Sequence, residues 1–236
     1  MSHLFFSNQT TAEENAPSIN WYTEDYPPFN YPLAGKIHGI AIDLLRQAYA
    51  NLNWPLEEQK IKVMPWPRVY YTLEKEANAC VFSMTYTKER AKRFNFVGNV
   101  MPNTVAIIGH AESKINEKQL KQDKHLRFGV VKNDIGHQTL MQYGIPEQQY
   151  VYLKSGYELV QMLQHKRVDL IAYGEIIAQY QFEKASIDPN NFRVIKPLLK
   201  SYLGFACNKR IPSDVLNTLD QSINKVAIER KDLIQY

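Results

Sequence analysis

Apolar residues recur in short bursts broken by proline, glycine and charge, and each burst has the period of a strand or of a helix. Ile19–Thr23 reads as a strand running into Glu24-Asp25-Tyr26-Pro27-Pro28-Phe29. Two prolines there remove donors and fix φ, so a rigid loop is expected at a strand's carboxyl end. After Gly39, the residues Ile40, Ile42, Leu44, Leu45, Ala48 and Tyr49 recur near the helical period as far as Asn53. Ile61–Met64 is a second strand, and Pro65-Trp66-Pro67 punctuates before a helix with Val69, Tyr70, Leu73 and Ala77 on one stripe. Ala79–Phe82 is a third strand. Ser83, Thr85 and Thr87 then alternate with Met84 and Tyr86, which predicts three hydroxyls on one face. Lys88–Arg93 has the look of one helical turn. This β-α-β-α-β order with short connections calls for a parallel sheet with helices on both faces.

The pattern then repeats. A strand at Asn103–Gly109 and a Lys-rich stretch to Lys124 lead to strand Phe128–Val131, helix Ile135–Tyr143 and strand Tyr150–Leu153. Helix Tyr157–His165, strand Asp169–Tyr173, helix Ile176–Phe182 and strand Phe192–Ile195 follow. A further strand at Tyr202–Cys207 precedes a last amphipathic helix, capped by Ser213, with Val215, Leu216, Leu219, Ile223, Val226 and Ala227 inward. Two parallel-sheet units in one chain predict two lobes with a cleft between them. Ligands of such sheets sit beyond the carboxyl ends of the strands.

Composition narrows the classes. With 44% hydrophobic and 22% charged residues the chain is an ordinary globular one, and no apolar run approaches a membrane span. The net charge of +4 is spread along the chain without the basic stripe that phosphate-backbone binding requires, so no nucleic-acid partner is expected. The 15 tyrosines fit either a lined cleft or a Tyr-rich core. The 6 histidines and 2 cysteines have no metal-ligand spacing, and no cofactor or metal is expected. Residues 1–18 read as a loose leader. Leu4-Phe5-Phe6 is too short for a signal-peptide core, so the chain either stays in the cytoplasm or has already lost an export signal. Nucleophile-elbow, phosphate-loop, dinucleotide-fingerprint and zincin motifs are absent.

Four stretches at predicted strand ends carry candidate chemistry. Tyr26 or Phe29 is placed to stack on a ligand or to pack on its own lobe. Trp66 is placed as an aromatic pocket wall or as core. Thr87 is a good N-cap, yet the residue three positions on is Arg90, where a capping box has Glu or Gln. A cation in the first turn opposes the macrodipole by roughly 0.3–1 kcal/mol, an offset explained if an anion binds there. The plainer alternative is a surface arginine paired with Glu89 or another acid. Glu175, after Tyr173-Gly174, faces the cleft and holds an ammonium group, or serves as an ordinary acid at a helix start. An arginine on one lobe and a glutamate on the other complement a zwitterion, and a few charged hydrogen bonds plus stacking reach the roughly −8 kcal/mol of a micromolar ligand.

At these residues the chain resembles the bacterial extracellular solute-binding proteins of family 3, the polar-amino-acid receptors of ABC importers, from about Ile19 to the C-terminus. The resemblance is carried by Tyr26-Pro27-Pro28-Phe29, by Gly39–Leu45, by Ser83–Arg90 continuing to Phe94-Asn95-Phe96-Val97, and by Phe128–Lys132 leading to Asn133-Asp134. It implies an α/β, two-lobed, type II periplasmic-binding fold. Lobe 1 would span 19–101 plus 208–236 and lobe 2 would span 102–207, joined by hinge strands near Met101–Val105 and Phe205–Lys209. It implies a periplasmic, monomeric protein that closes on an amino-acid-like zwitterion or small carboxylate and does no chemistry. Its downstream partner would be a membrane permease or a sensor receptor, and the competing reading is a cyclohexadienyl-dehydratase-like enzyme with Glu175 as acid or base. Carried over by residue, Arg90 holds the ligand carboxylate with Ser83 and Thr85, Glu175 holds the amino group, Tyr26 stacks and Trp66 lines the pocket. Asp134 stands in the family's Gly-Thr-Thr position at a helix start, beside the carboxylate site. Cys80 and Cys207, one in the first sheet and one by the hinge, are expected as free thiols.

Overall fold

The computed structural model describes residues 17–231; all but two residues of the predicted leader lie outside them. A single eight-stranded sheet runs through both halves of the molecule in the order β4-β1-β5-β10-β6-β9-β7-β8. In the first half β1 (Asn20–Thr23) pairs in parallel with β4 (Lys62–Val63) and β5 (Ala79–Thr85), covered by α1 (Ile40–Asn51) and α2 (Trp66–Lys75). In the second half β7 (Phe128–Val131) pairs in parallel with β8 (Tyr150–Leu153) and β9 (Leu170–Gly174), flanked by α5 (Ile135–Tyr143), α6 (Gly156–Gln164) and α7 (Glu175–Lys184). A short hairpin, β2 (Tyr31–Leu33) with β3 (Lys36–His38), lies outside the sheet. α3 (Lys88–Arg93) and α4 (Gln119–Gln122) are single turns, and α8 (Ser213–Glu229) packs on α1. Among the described residues no helix is long and apolar enough to cross a membrane.

The halves are joined by two strands of 17 residues, β6 (Phe94–His110) and β10 (Phe192–Asn208), paired antiparallel along their length. The short strands expected at 103–109, 192–195 and 202–207 are pieces of this ribbon. Register shifts at Val194/Lys196, Pro197/Leu199 and Leu203/Phe205 break the alternation that a sequence pattern relies on, and let a long strand bend from one half of the sheet to the other. β10 joins β5 from Leu203 to Cys207, so Phe205–Lys209 begins within the first half's sheet, beyond the change of partners.

That pairing overturns the expectation of free thiols. Cys207 lies directly opposite Cys80 in the β10–β5 register, and the two form a disulfide with Cα atoms 4.1 Å apart. Cys207 lies beyond the hinge, because the long strand carries it back beside β5 in the first half. A second expectation also fails. Ser83 has φ of +50° where the β5–β10 register shifts, so Ser83, Thr85 and Thr87 do not share one face, and each hydroxyl meets a different partner.

Two glycines fix the geometry of the site. Gly39 has φ of +117°, and a Cβ there would fall 2.5 Å from the carbonyl oxygens of Pro28 and Phe29. Those carbonyls accept from Ile40 and Ala41 N–H, so the Tyr26–Asn30 loop caps α1 and is held rigid by it. At Gly136 a Cβ would lie 2.0 Å from the Ala172 carbonyl oxygen, which lets the start of α5 press against β9.

Candidate functional site

The carboxyl ends of β1 and β5 meet the start of α5 across the gap between the halves. Arg90 sits in the first turn of α3, where its N–H donates to the Thr87 hydroxyl at 3.1 Å. Its side chain turns inward and is only 2% exposed. The guanidinium donates through Nη1 to the Thr85 carbonyl (3.1 Å), through Nε to Gln138 Oε1 (3.1 Å) and through Nη2 to the Asn133 carbonyl (3.4 Å). Two of these acceptors come from the opposite half. The guanidinium also lies over the Trp66 ring, 5.6 Å from its centre. Among the described residues no carboxylate comes within ion-pair distance of it. Glu89, the predicted surface partner, pairs with Lys92 instead. Burial pulls the Arg90 proton affinity down, while Asp134, Tyr70, Tyr26 and Glu24 hold it up.

The Asn133 carbonyl is a latch between the halves. Besides Arg90 it accepts from Trp66 Nε1 (3.0 Å) and Gln138 Nε2 (3.1 Å), and its own N–H donates to His137 Nδ1 (3.2 Å). Asn133 holds φ of +62°, a left-handed conformation that asparagine tolerates and that turns its carbonyl toward the first half. A second contact crosses the gap where Gln181 Nε2 donates to the Asp25 carbonyl (3.3 Å) and Lys184 pairs with the Asp25 carboxylate.

Carboxylates gather behind the latch. Asp134 is 5% exposed at the start of α5, and its Oδ2 has no hydrogen-bond partner. Burial pushes its carboxyl up, while Arg90 and the backbone N–H groups of Ile135 and Gly136 draw it back. Glu24 follows the end of β1 and is half-buried. Its carboxyl is pushed well above the usual carboxylate range, first by desolvation and then by repulsion from Asp134 and Asp25, with Arg90 alone drawing it down. Tyr173, 1% exposed, stands edge-on to Tyr26 at 5.9 Å; its hydroxyl is unpartnered and pushed well up by burial, then by Glu24, Tyr26, Asp134 and Asp25. Asn103 donates to the Thr85 hydroxyl (3.0 Å) and leaves its own buried Oδ1 without a partner.

The predicted site residues thus divide. Tyr26, Trp66, Thr85, Arg90 and Asp134 are all buried where the two halves meet. Ser83 is near but turned away, donating to the Asn30 side chain, whose amide in turn reaches the Thr23 hydroxyl at 2.6 Å. Glu175 is elsewhere: it opens α7 and lines a groove of about 470 Å³ with Ile108, Phe182, Phe192 and Arg193. Its carboxyl is raised by desolvation and lowered by Lys200, and none of the gap's charges acts on it. Glu24, Asn103, Gln138 and Tyr173 also belong to the region where the halves meet and carry no role in the sequence reading. For Glu24 a signal existed, since it and Asp25 are successive acids directly after a strand; for the other three there was none.

Residues 20–184 match the family described as bacterial extracellular solute-binding proteins, family 3. No curated protein matches the chain by sequence. Among solved structures, the arginine-, lysine-, histidine-binding protein ArtJ from Geobacillus stearothermophilus is similar at TM-score 0.76 and 19% identity, over 91% of both chains. A histidine kinase sensor domain with similarity to periplasmic binding proteins matches at TM-score 0.78 and 14% identity, over 93% of this chain and 94% of that one. Arginine-bound ArgBP from T. maritima, as a Gly-to-Ala mutant, matches at 0.70 and 17%, over 87% and 94%.

Proposed function

Since the chain belongs to the bacterial extracellular solute-binding proteins of family 3, we propose that it captures a small, amino-acid-sized solute in the gap between its halves and delivers it for transport. The two lobes are taken as 19–101 with 208–236 and as 102–207, and the bulged β6–β10 ribbon is the element along which they move. The observation that carries this reading is Arg90: a guanidinium enclosed between the halves, hydrogen-bonded only to neutral groups, with two acceptors on the opposite half. A buried cation without a salt bridge is costly unless something else answers its charge. A solute entering between the lobes supplies such a group, Arg90 serving any carboxylate it carries while Tyr26 and Trp66 supply aromatic walls. Closure then follows from the solute's greater affinity for the closed form.

The protein is proposed to work in the periplasm as a monomer. The Cys80–Cys207 disulfide supports that location, because such bonds persist in oxidising compartments. A permease of an importer is the proposed receiver. A sensor receptor is the second reading, supported by the shared fold of the histidine kinase sensor domain. Co-purification with a permease supports the first, and with a receptor kinase the second.

A thermal-shift screen against amino acids, amines and small carboxylates tests capture, because ligand binding raises the melting temperature by mass action. A rise for at least one class is expected, and Arg90→Ala should abolish the rise for any carboxylate-bearing solute with little loss of helical signal. A flat response across every class rejects the proposal.

A further inference from the structure

The charge in the gap does not balance. Asp25 is answered by Lys184, while Asp134, buried with its Oδ2 unpartnered, and half-buried Glu24 have Arg90 as their one nearby cation. Arg90 already gives N–H groups to three neutral acceptors, two of them on the opposite half. The oxygens, by contrast, are short of donors. Asp134 Oδ2, Asn103 Oδ1 and the Tyr173 hydroxyl are buried and make no hydrogen bond. Asn103 and Tyr173 share a neighbourhood around Tyr26 and Gly174. Tyr173 stands edge-on to Tyr26, and Asn103 Oδ1 and the Tyr26 hydroxyl both approach Gly174, at 3.0 and 3.5 Å from where a Cβ would sit. Asn103 also joins the site from the other side, through the Thr85 residue whose carbonyl receives Arg90.

Resting on the capture proposed above, we infer that the solute is recognised as an organic cation: an ammonium or guanidinium group donates to Glu24, Asp134 and Asn103, and a carboxylate on the solute is dispensable. Asp134 is the key residue. It places a carboxylate of the protein at the start of α5, within the field of Arg90, so a solute anion reaching Arg90 would meet that carboxylate. A dicarboxylate would bring two further negative charges against Glu24 and Asp134 with no spare cation to meet them. An ammonium group brings up to three donors to a place where enclosed acceptors lack them. The aromatic rings of Tyr26 and Trp66 suit a cation as well as they suit an apolar chain.

Titration calorimetry on the whole chain, above neutral pH, with agmatine, putrescine, arginine and succinate as probes decides this. Agmatine or putrescine should bind, and succinate should not. Arginine should gain no more than about tenfold over agmatine, the worth of one charged contact. Glu24→Gln and Asp134→Asn should each weaken the better amine by about tenfold or more with the melting curve still cooperative. If either variant does not fold, Tyr173→Phe, which removes only a hydroxyl, should weaken the amine severalfold. Absence of amine binding overturns the inference, as does amine binding that these substitutions leave unchanged. Succinate binding without amine binding also overturns it while leaving solute capture standing. Silence from these probes together with a flat thermal-shift screen overturns both.

Discussion

Two glutamates follow two strands in this molecule, and they have opposite fates. Glu24 follows β1 and shares a site with Asp134, Arg90 and Tyr173; Glu175 follows β9 and looks out over a groove with Lys200 as its one charged influence. Both positions satisfy the rule that ligands gather beyond the carboxyl ends of parallel strands. The difference lies in what comes next along the chain. After Glu24 the Tyr26–Asn30 loop is locked by its hydrogen bonds to α1, and the acid is pinned at the strand's mouth. After Gly174 a helix begins at once, so Glu175 rotates with α7 and away from the gap. A strand-end acid is therefore a candidate only when the following segment keeps it at the end.

The strand ends differ also in what backs them. β1 lies beside β5, which the Cys80–Cys207 bond fastens to β10, whereas β9 has no covalent support among the described residues. Cys80→Ser should cost about 2–5 kcal/mol of stability, and hydrogen exchange should quicken in β1 and β5 before β7 and β9. Uniform quickening would dissolve the contrast. Thiol titration of the denatured, unreduced protein should find none.

The next effect is on the acids themselves. Glu24→Gln should weaken the solute by about tenfold or more and Glu175→Gln by under about twofold; calorimetry giving equal losses would erase the distinction. Glu24→Gln should at the same time stabilise the unliganded protein above neutral pH, because it removes a carboxylate that Asp134 and Asp25 repel.

Proton linkage gives the same sign. Glu24 and Asp134 have folded-state affinities for protons raised above their ordinary values, so the folded state holds more protons than the unfolded one. Their contribution to stability is full below the ordinary carboxylate range and is lost as pH rises through the raised values. Cation affinity should climb over that same window as the carboxylates ionise. Melting temperatures and affinities that rise together with pH there would contradict it. The smallest effect concerns the latch: Trp66→Phe removes one donor from the Asn133 carbonyl and should cost about 1 kcal/mol, read as weaker binding with unchanged ligand preference.

Much of the scaffold was legible in the residues. The Ile135–Tyr143 helix and the Phe128–Val131 and Tyr150–Leu153 strands occupy their predicted spans, because local period and clear turn residues define them. Arg90 stood out because it occupies the first turn of a helix that Thr87 caps, a local contradiction that tertiary surroundings had to resolve. The ribbon joining the halves was not legible, since bulges and Pro102 and Pro197 interrupt the alternation that marks a strand.

What sequence alone determined, then, was governed by neighbours along the chain: helix periods, the Thr87 cap, the proline-stiffened loop and the α/β order, whereas Ser213 opens its helix without capping it. Tertiary structure decided which of those pieces face one another. It set Cys207 opposite Cys80, turned Glu175 outward and brought Glu24 under the influence of Asp134 and Arg90. Those outcomes depend on where a long bent strand and a helix start come to rest, distances that no local pattern encodes.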